Sequence, residues 1–239
     1  MTVLGYARQG CSPLKRLTEM SRTFIAWCFA LTCGGVTGNA QAQAPAPALA
    51  EALALTPDTT RGSALYAEAC ASCHRADGAG RAGGEMPALA GQHAAVTLRH
   101  LIEVREGRRV NPDMKQVLRD EPLSLQALAD VALFIRHMPP ATVRKTVGPG
   151  SHLTQGAALY QRDCTVCHGE EAQGVVEKFG PAIAGQHYPF LWRELNLIQQ
   201  GMRGNSNPEM RRILSRYSPE ELHSLADHLS HLPAQRTAR

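Results

Sequence analysis

Two copies of the pentapeptide Cys-x-x-Cys-His contain the side chains of this chain that are best suited to chemistry. They occupy residues 70–74 and 164–168. Two thiols at this spacing can form thioethers with both vinyl groups of one porphyrin, and the histidine that follows is placed to ligate its iron. The pattern predicts two haem c groups, with His74 and His168 as iron ligands. The thioether bonds are assigned to four cysteines: Cys70, Cys73, Cys164 and Cys167.

Zinc binding and dithiol redox chemistry are the alternatives for paired cysteines. Zinc ribbons place the second pair about 15–20 residues after the first. Here 90 residues lie between Cys73 and Cys164, and each pair has its own adjacent histidine. A dithiol redox motif would require a βαβ context, and no strand-rich pattern lies nearby. Haem attachment is therefore the favoured interpretation.

The two motifs belong to an internal repeat with an offset of 94 residues. The stretch Pro-Ala-Leu-Ala-Gly-Gln-His at 87–93 recurs as Pro-Ala-Ile-Ala-Gly-Gln-His at 181–187, and 62–66 matches 156–160. A repeat of this kind indicates two versions of one structural unit. We predict two domains, 61–138 and 155–232, a linker, 139–154, and a C-terminal tail, 233–239.

Each copy is expected to form three main helices, because the chain is rich in Ala and Leu and poor in β-branched runs. The expected ranges are about 61–70, 94–106 and 124–136, with twins at 155–164, 188–200 and 219–232. Ser218 is a good N-cap, with Pro219 at the first position and Glu221 in capping-box register. Gly62 would allow the third helix to approach closely, with Tyr66 packed one turn away. The predicted fold class is all-α.

The repeat limits which residues could ligate each iron on the side opposite its histidine. Met114 and Met210 occupy matched positions, each after Asn-Pro and an acidic residue. A lone methionine usually fills gaps in a core, whereas a matched pair in two haem domains is better explained as axial ligands. His93 and His187 are also matched and are the rival pair, although a surface position or a place beside a ligand is more ordinary for them.

Haem would also supply much of each core. A domain of about 80 residues is marginal for an apolar core of its own. We therefore expect each domain to wrap around its covalently bound haem and to fold poorly without it.

The N-terminal residues resemble an export leader. Basic residues precede the apolar run 23–31, and Ala40-Gln41-Ala42 follows, which is the pattern of a secretory signal. We predict a signal peptide over 1–42 and a periplasmic protein, with an uncleaved membrane anchor as the alternative. The Ala/Pro-rich residues 43–60 are expected to form a flexible tether that could hold a short helical turn around 49–55.

The charge gives little indication of a polyanionic partner. The formal net charge is +4 for the whole chain, and without residues 1–42 the 21 basic residues nearly balance the 20 acidic ones. We expect no nucleic-acid partner and allow for loose association with a membrane. Arg105, Arg108 and Arg109 form a small basic cluster that could face a haem propionate, although a solvated face is favoured.

In these motifs the sequence resembles the dihaem class I c-type cytochromes of the cytochrome c4 type. The resemblance covers about 61–232 and includes the tandem Cys-x-x-Cys-His domains, the Pro-x-x-Ala-Gly-Gln stretches, and the later methionines. It implies two tandem class I cytochrome c domains with His/Met ligation. It also implies that the carbonyls of Pro87 and Pro181 accept from the haem-ligating histidines, and that electrons pass in the periplasm towards a terminal oxidase.

The favoured function is electron transfer in a respiratory chain, not catalysis. The expected donor is a quinol-oxidising complex or a dehydrogenase, and the expected acceptor is a terminal cytochrome oxidase. One alternative is a dihaem enzyme, either a peroxidase or a protein that oxidises thiosulfate, which would need an open site on one iron. Another alternative is a cytochrome subunit of a dehydrogenase complex.

Overall fold

The computed structural model describes residues 46–83, 86–120, 123–140 and 146–234. The predicted signal peptide lies outside these ranges, as do residues 141–145 of the predicted linker and 235–239 of the predicted tail. Within the described ranges no β-strand is present beyond an isolated bridge between Val175 and Gly180. No helix in this part of the chain has the length and apolar character needed to cross a bilayer.

The helices of the first half are α1 (Pro47–Leu53), α2 (Thr59–Leu65), α3 (Ala71–His74), α4 (Ala94–Arg105), α5 (Pro112–Asp120) and α6 (Leu125–His137). Those of the second half are α7 (Leu153–Asp163), α8 (Thr165–His168), α9 (Tyr188–Gln199), α10 (Pro208–Leu214) and α11 (Pro219–His231). A π-helical turn, Tyr66–Cys70, extends α2, and a 3-10 turn lies at Val176–Lys178. The all-α prediction is confirmed, and α5 and α10 add a fourth principal helix to each domain.

The N-terminus of α11 has the hydrogen bonds that its sequence predicts. The Ser218 side chain accepts from the backbone N–H of Glu221, and the Glu221 side chain accepts from the backbone N–H of Ser218. Both ends of the capping box are therefore made, and they satisfy two donors that a helix N-terminus leaves free.

The helical turn expected around 49–55 is present as part of a longer helix over 47–53, but this segment is not the predicted flexible tether. These residues form α1, which packs on α4 and α6 and buries Leu49 and Ala52. The Ala-rich composition suggested a flexible chain, but alanine is also the strongest helix former and Pro47 suits the first turn. Leu49 and Ala52 lie three residues apart on one face, so a core surface of the first domain can order the segment.

Each domain is built around one close helix crossing. A Cβ added to Gly62 on α2 would lie 2.1 Å from the carbonyl oxygen of Asp130 on α6. A Cβ on Gly156 of α7 would lie 2.1 Å from the carbonyl oxygen of Ser224 on α11. Tyr66 is buried and its ring centroid is 5.4 Å from that of Phe134. The predicted packing of the first helix against the third is confirmed.

A buried carboxylate reinforces each crossing. Asp130 on α6 accepts from the backbone N–H of Asp58 at 2.7 Å, from Arg61 Nε at 2.7 Å and from Gln126 Nε2 at 2.8 Å. Burial acts to raise the pKa of Asp130, but these hydrogen bonds, led by that from Arg61, outweigh it and hold the pKa below its ordinary value. In the second domain Asp227 accepts from the backbone N–H groups that precede α7.

Substitution of Gly62 by alanine tests the close crossing. Gly62→Ala should destabilise the first domain by about 1–3 kcal/mol, because the methyl group must push α2 away from α6. Urea unfolding of the holoprotein measures the loss. Ser63→Ala, on the exposed side of the same helix, is the matched control and should change stability by less than about 0.5 kcal/mol. Equal effects of the two changes would contradict the packing argument.

The carboxylate of Asp130 should make stability dependent on pH. Asp130→Asn is expected to cost about 1–3 kcal/mol at neutral pH, because the hydrogen bonds lose a charged acceptor. Since the folded-state pKa is lowered, the contribution is complete above the unfolded-state value of about 3.9 and is lost as the pH falls through the folded-state value. The difference between wild type and variant should therefore shrink below about pH 4.

Urea unfolding at several pH values measures this difference. Glu51→Gln, which removes an exposed carboxylate from the same domain, is the control and should have little effect at any pH. An Asp130→Asn effect that is constant from pH 7 to acid would show that the carboxylate charge does not stabilise the fold.

Candidate haem sites

The two Cys-x-x-Cys-His motifs lie on matched short helices. Cys70 ends the π-helical turn and α3 carries the rest of the first motif, whereas Cys164 precedes α8 in the second. The histidine at the end of each motif is buried, at 4% exposure for His74 and 8% for His168. The cysteines are half-buried or, for Cys167, exposed. Each motif therefore places its thiols at the rim of the domain and its imidazole inside.

A tyrosine fixes the chain just beyond each motif. The Tyr66 hydroxyl donates to the carbonyl oxygen of Arg75 at 2.9 Å, and the Tyr160 hydroxyl donates to that of Gly169 at 2.5 Å. Arg75 and Gly169 both have positive φ, at 67° and 78°. The chain must turn sharply there to leave the motif, and the hydroxyl satisfies the carbonyl at the turn.

The orientation of both histidines is set by a proline carbonyl. Nδ1 of His74 lies 3.1 Å from the carbonyl oxygen of Pro87, and Nδ1 of His168 lies 3.0 Å from that of Pro181. A carbonyl only accepts, so Nδ1 carries the proton and Nε2 keeps its lone pair. Both hydrogen bonds expected from the family resemblance are thus present.

Burial disfavours the charged form of both rings, and on His74 it leaves a ligand atom available. It lowers the pKa of His74 and of His168, against the opposing effect of the bond to proline. In the part of the chain that the structure describes, Nε2 of His74 is buried and has no hydrogen-bond partner. A buried nitrogen without a partner is costly unless something else binds it. An iron ion is a suitable partner for such a nitrogen, so these residues fit a haem.

The two matched methionines lie at equivalent places on α5 and α10. Met114 and Met210 are half-buried, and each packs against the apolar core of its own domain. Asparagine side chains start both helices: Asn111 accepts from the backbone N–H of Met114 at 3.1 Å, and Asn207 accepts from that of Glu209 at 2.8 Å. By contrast, Met202 is 53% exposed.

The glutamines of the repeated stretch join the two domains. Oε1 of Gln186 accepts from the backbone N–H of Ala88 at 3.0 Å, while its Nε2 donates to the Ala88 carbonyl at 2.9 Å. Gln92 makes the same pair of bonds to Ala182, at 3.0 Å and 2.9 Å. The two domains therefore hold each other through reciprocal contacts of one motif.

The histidines that follow these glutamines also form hydrogen bonds across the boundary between the domains. Nε2 of His93 lies 2.9 Å from the Gln173 carbonyl oxygen, and Nε2 of His187 lies 2.7 Å from that of Ala79. Both histidines are buried, so of the two expected places, on the surface or beside a ligand, the surface position is wrong. Their Nε2 atoms bind carbonyls of the opposite domain, which does not favour the rival hypothesis that they ligate iron. In the sequence, the recurrence of Gln-His at the same offset was the signal that these histidines share a role. It does not show that they contact carbonyl groups of the opposite domain.

The predicted solvated face of the basic cluster is wrong for Arg109. Its side chain is 13% exposed and lies 3.3 Å from Glu194 of the second domain. Glu194 is also 3.3 Å from Arg203, whose pKa burial lowers to about 10. Arg108 is more open and pairs with Glu103 and Glu106. The sequence identified the cluster but could not show that a partner charge lies 85 residues away.

A helical domain with an attachment motif, a proline-oriented buried histidine and a half-buried methionine, present twice, defines a two-domain c-type cytochrome. The cytochrome c family model matches residues 59–139 and 153–233, and the chain belongs to that family. Cytochrome c4 of Pseudomonas aeruginosa is 33% identical over 187 residues, covering 73% of this chain and 89% of the relative. A protein of Stutzerimonas stutzeri described as "Thiosulfate dehydrogenase electron acceptor" is 32% identical over 190 residues, covering 76% of this chain and 87% of the relative.

Solved structures show the same architecture. Reduced cytochrome c4 from Pseudomonas stutzeri matches with a TM-score of 0.67 and 25% identity, over 74% of this chain and 100% of that chain. Thiosulfate dehydrogenase (TsdBA) from Marichromatium purpuratum matches with a TM-score of 0.65 and 27% identity, over 74% of this chain and 40% of that one. The prediction of a cytochrome c4-like dihaem protein is confirmed. The chain carries two covalently bound haem c groups and is a c4-like electron carrier.

Proposed function

We propose that this protein is a periplasmic one-electron carrier with a closed His/Met site in each domain. Cys70, Cys73, Cys164 and Cys167 would form the thioethers. His74 and Met114 would ligate one iron, and His168 and Met210 the other. The observation that carries the proposal is that each domain holds a buried histidine, oriented by a proline carbonyl, and a half-buried methionine at the matched position of the repeat.

The protein residues set the conditions for rapid transfer. Haem iron held by imidazole and thioether exchanges single electrons between its ferric and ferrous states. Pro87 and Pro181 hold the imidazoles in one orientation, which favours the lone pair of Nε2 as a ligand. Asn111 and Asn207 fix the first turns of α5 and α10, which carry Met114 and Met210. With these histidines and methionines as ligands, neither iron would have an open position for a substrate.

The proposed location is the periplasm, and the proposed partners are other redox proteins. The export pattern of residues 1–42 supports the periplasm. Two haems in tandem suit a carrier between two redox proteins, with a quinol-oxidising complex or a dehydrogenase as donor and a terminal oxidase as acceptor. The relative described as an electron acceptor of thiosulfate dehydrogenase makes such an enzyme a specific candidate donor.

Two other functions differ from this proposal in ways that can be measured. The similarity to TsdBA supports, as a second candidate, participation in thiosulfate oxidation, either as an enzyme or as the cytochrome subunit of a complex. An enzyme of this kind would need an accessible coordination position on one iron. A closed His/Met site in both domains would exclude that position.

Replacement of an axial methionine tests the proposed ligands. Met114→His should lower the potential of the first haem by on the order of 0.1 V or more, because axial ligands move haem potentials over about 0.8 V. It should also remove that haem's methionine–iron ligand-field band from the ferric spectrum. Met202→His is the control, because Met202 is exposed, and should leave both properties unchanged. An unchanged potential and band in Met114→His would show that another residue is the ligand.

Carbon monoxide binding and electron delivery separate a carrier from an enzyme. The reduced wild-type protein should not bind carbon monoxide readily at either haem, because the histidine and methionine proposed for each iron would leave no open coordination position. With thiosulfate alone it should stay oxidised, and addition of a purified thiosulfate dehydrogenase should reduce it. Ready carbon monoxide binding at one haem, together with thiosulfate oxidation by this chain alone, would replace the carrier proposal with the enzyme. Failure of the dehydrogenase to reduce it would exclude that donor.

A further inference from the structure

One amide group in each domain has a hydrogen bond on both of its sides. The peptide between Pro87 and Ala88 accepts from His74 Nδ1 through its carbonyl, at 3.1 Å. The N–H of the same peptide donates to Oε1 of Gln186, at 3.0 Å. The histidine belongs to the first domain and the glutamine to the second. A single peptide unit therefore connects the ligand of one haem with a side chain of the opposite domain.

The second domain repeats the arrangement in the opposite direction. The peptide between Pro181 and Ala182 accepts from His168 Nδ1 at 3.0 Å and donates to Oε1 of Gln92 at 3.0 Å. In both copies the glutamine Nε2 also donates to the next carbonyl, that of Ala88 or Ala182, at 2.9 Å. The alanine that follows each proline is thus held at both of its backbone polar groups.

We propose that Gln92 and Gln186 are positioning residues that each tune the haem of the other domain. Gln92 would act on the haem ligated by His168, and Gln186 on the haem ligated by His74. The inference rests on the proposed function only in taking these two histidines as the iron ligands.

The direction of the effect follows from amide polarisation. When an amide N–H donates a hydrogen bond, its carbonyl becomes a stronger acceptor, because hydrogen bonds in a chain reinforce one another. A stronger carbonyl withdraws the Nδ1 proton further and makes the imidazole a more basic ligand. A more basic ligand favours ferric iron, so each glutamine should lower the potential of the opposite haem. Loss of the glutamine should raise it.

The test uses the dihaem holoprotein and two apolar variants of similar side-chain length, Gln92→Met and Gln186→Met. Redox titration followed by proton NMR gives each potential, with haem resonances assigned to each domain by their contacts. Gln92→Met should raise the potential of the second-domain haem more than that of the first. Gln186→Met should produce the reverse. The Nδ1 proton resonance of His168 or His74 should move in the same crossed pattern.

A variant that keeps the acceptor separates tuning from loss of the interface. Gln92→Glu retains an oxygen for the Ala182 N–H but loses the donor to the Ala182 carbonyl. It should return the second-haem potential to the wild-type value or below. If Gln92→Glu and Gln92→Met raise that potential equally, loosening of the interface is the cause and the proposal is wrong.

Thr146→Val is the matched interface control. Thr146 lies in the linker and its backbone N–H donates to His187 of the second domain, whereas its hydroxyl contacts the Ala82 carbonyl of the first domain and not a proline peptide. This variant should not shift one haem selectively. Equal shifts of both haems in the glutamine variants, a shift confined to the haem of the mutated domain, or no shift would overturn the inference. A wrong assignment of the two histidines would be seen separately, as wild-type His74 and His168 resonances that lack the hyperfine shifts of an imidazole bound to ferric haem iron.

Discussion

The structure depends on burying an imidazole that keeps one nitrogen free. A buried histidine normally needs partners for both ring nitrogens, since an unsatisfied polar atom costs free energy. Here a proline carbonyl accepts a hydrogen bond from Nδ1–H, and Nε2 keeps a lone pair that could bind a metal. Proline suits this place because its peptide nitrogen has no proton and its φ angle is fixed. The tyrosine bond to the residue that follows each histidine fixes the backbone next to the same ring.

The interface uses backbone groups that lie next to those already used by the haem sites. Each proline carbonyl orients its own domain's histidine, and the following alanine binds a glutamine of the other domain. Because both copies contain the same stretch, the contact is reciprocal and self-complementary, as in a two-fold dimer. The ion pairs break this symmetry. Glu194 binds Arg109 and Arg203, while His100 stands at its matched position in the first domain.

Local sequence patterns determined much of the fold and of the candidate sites. The helices, the Gly62 crossing and the Ser218 capping box depend on residues close in sequence or on one repeated contact, and these expectations agree with the structure. The errors concern contacts between distant segments. Residues 47–53 pack on the first domain, and do not form a flexible tether, because a core surface is available to cover Leu49. Arg109 is buried because Glu194 of the second domain lies opposite it. The pattern of residues around Arg109 cannot show which distant residue will lie beside it.

The reciprocal interface also limits how independent the two haems can be. If the domains were separate carriers on a flexible linker, each potential would depend on its own domain alone. Instead, both proline peptides are held from across the boundary, and His93 and His187 fix further carbonyls of the opposite domain. Such buried, mutually satisfied contacts favour one rigid arrangement, because breaking any of them leaves a polar group unpaired. A rigid pair would keep a fixed separation between its haems, and electron transfer between them would then need no diffusional search.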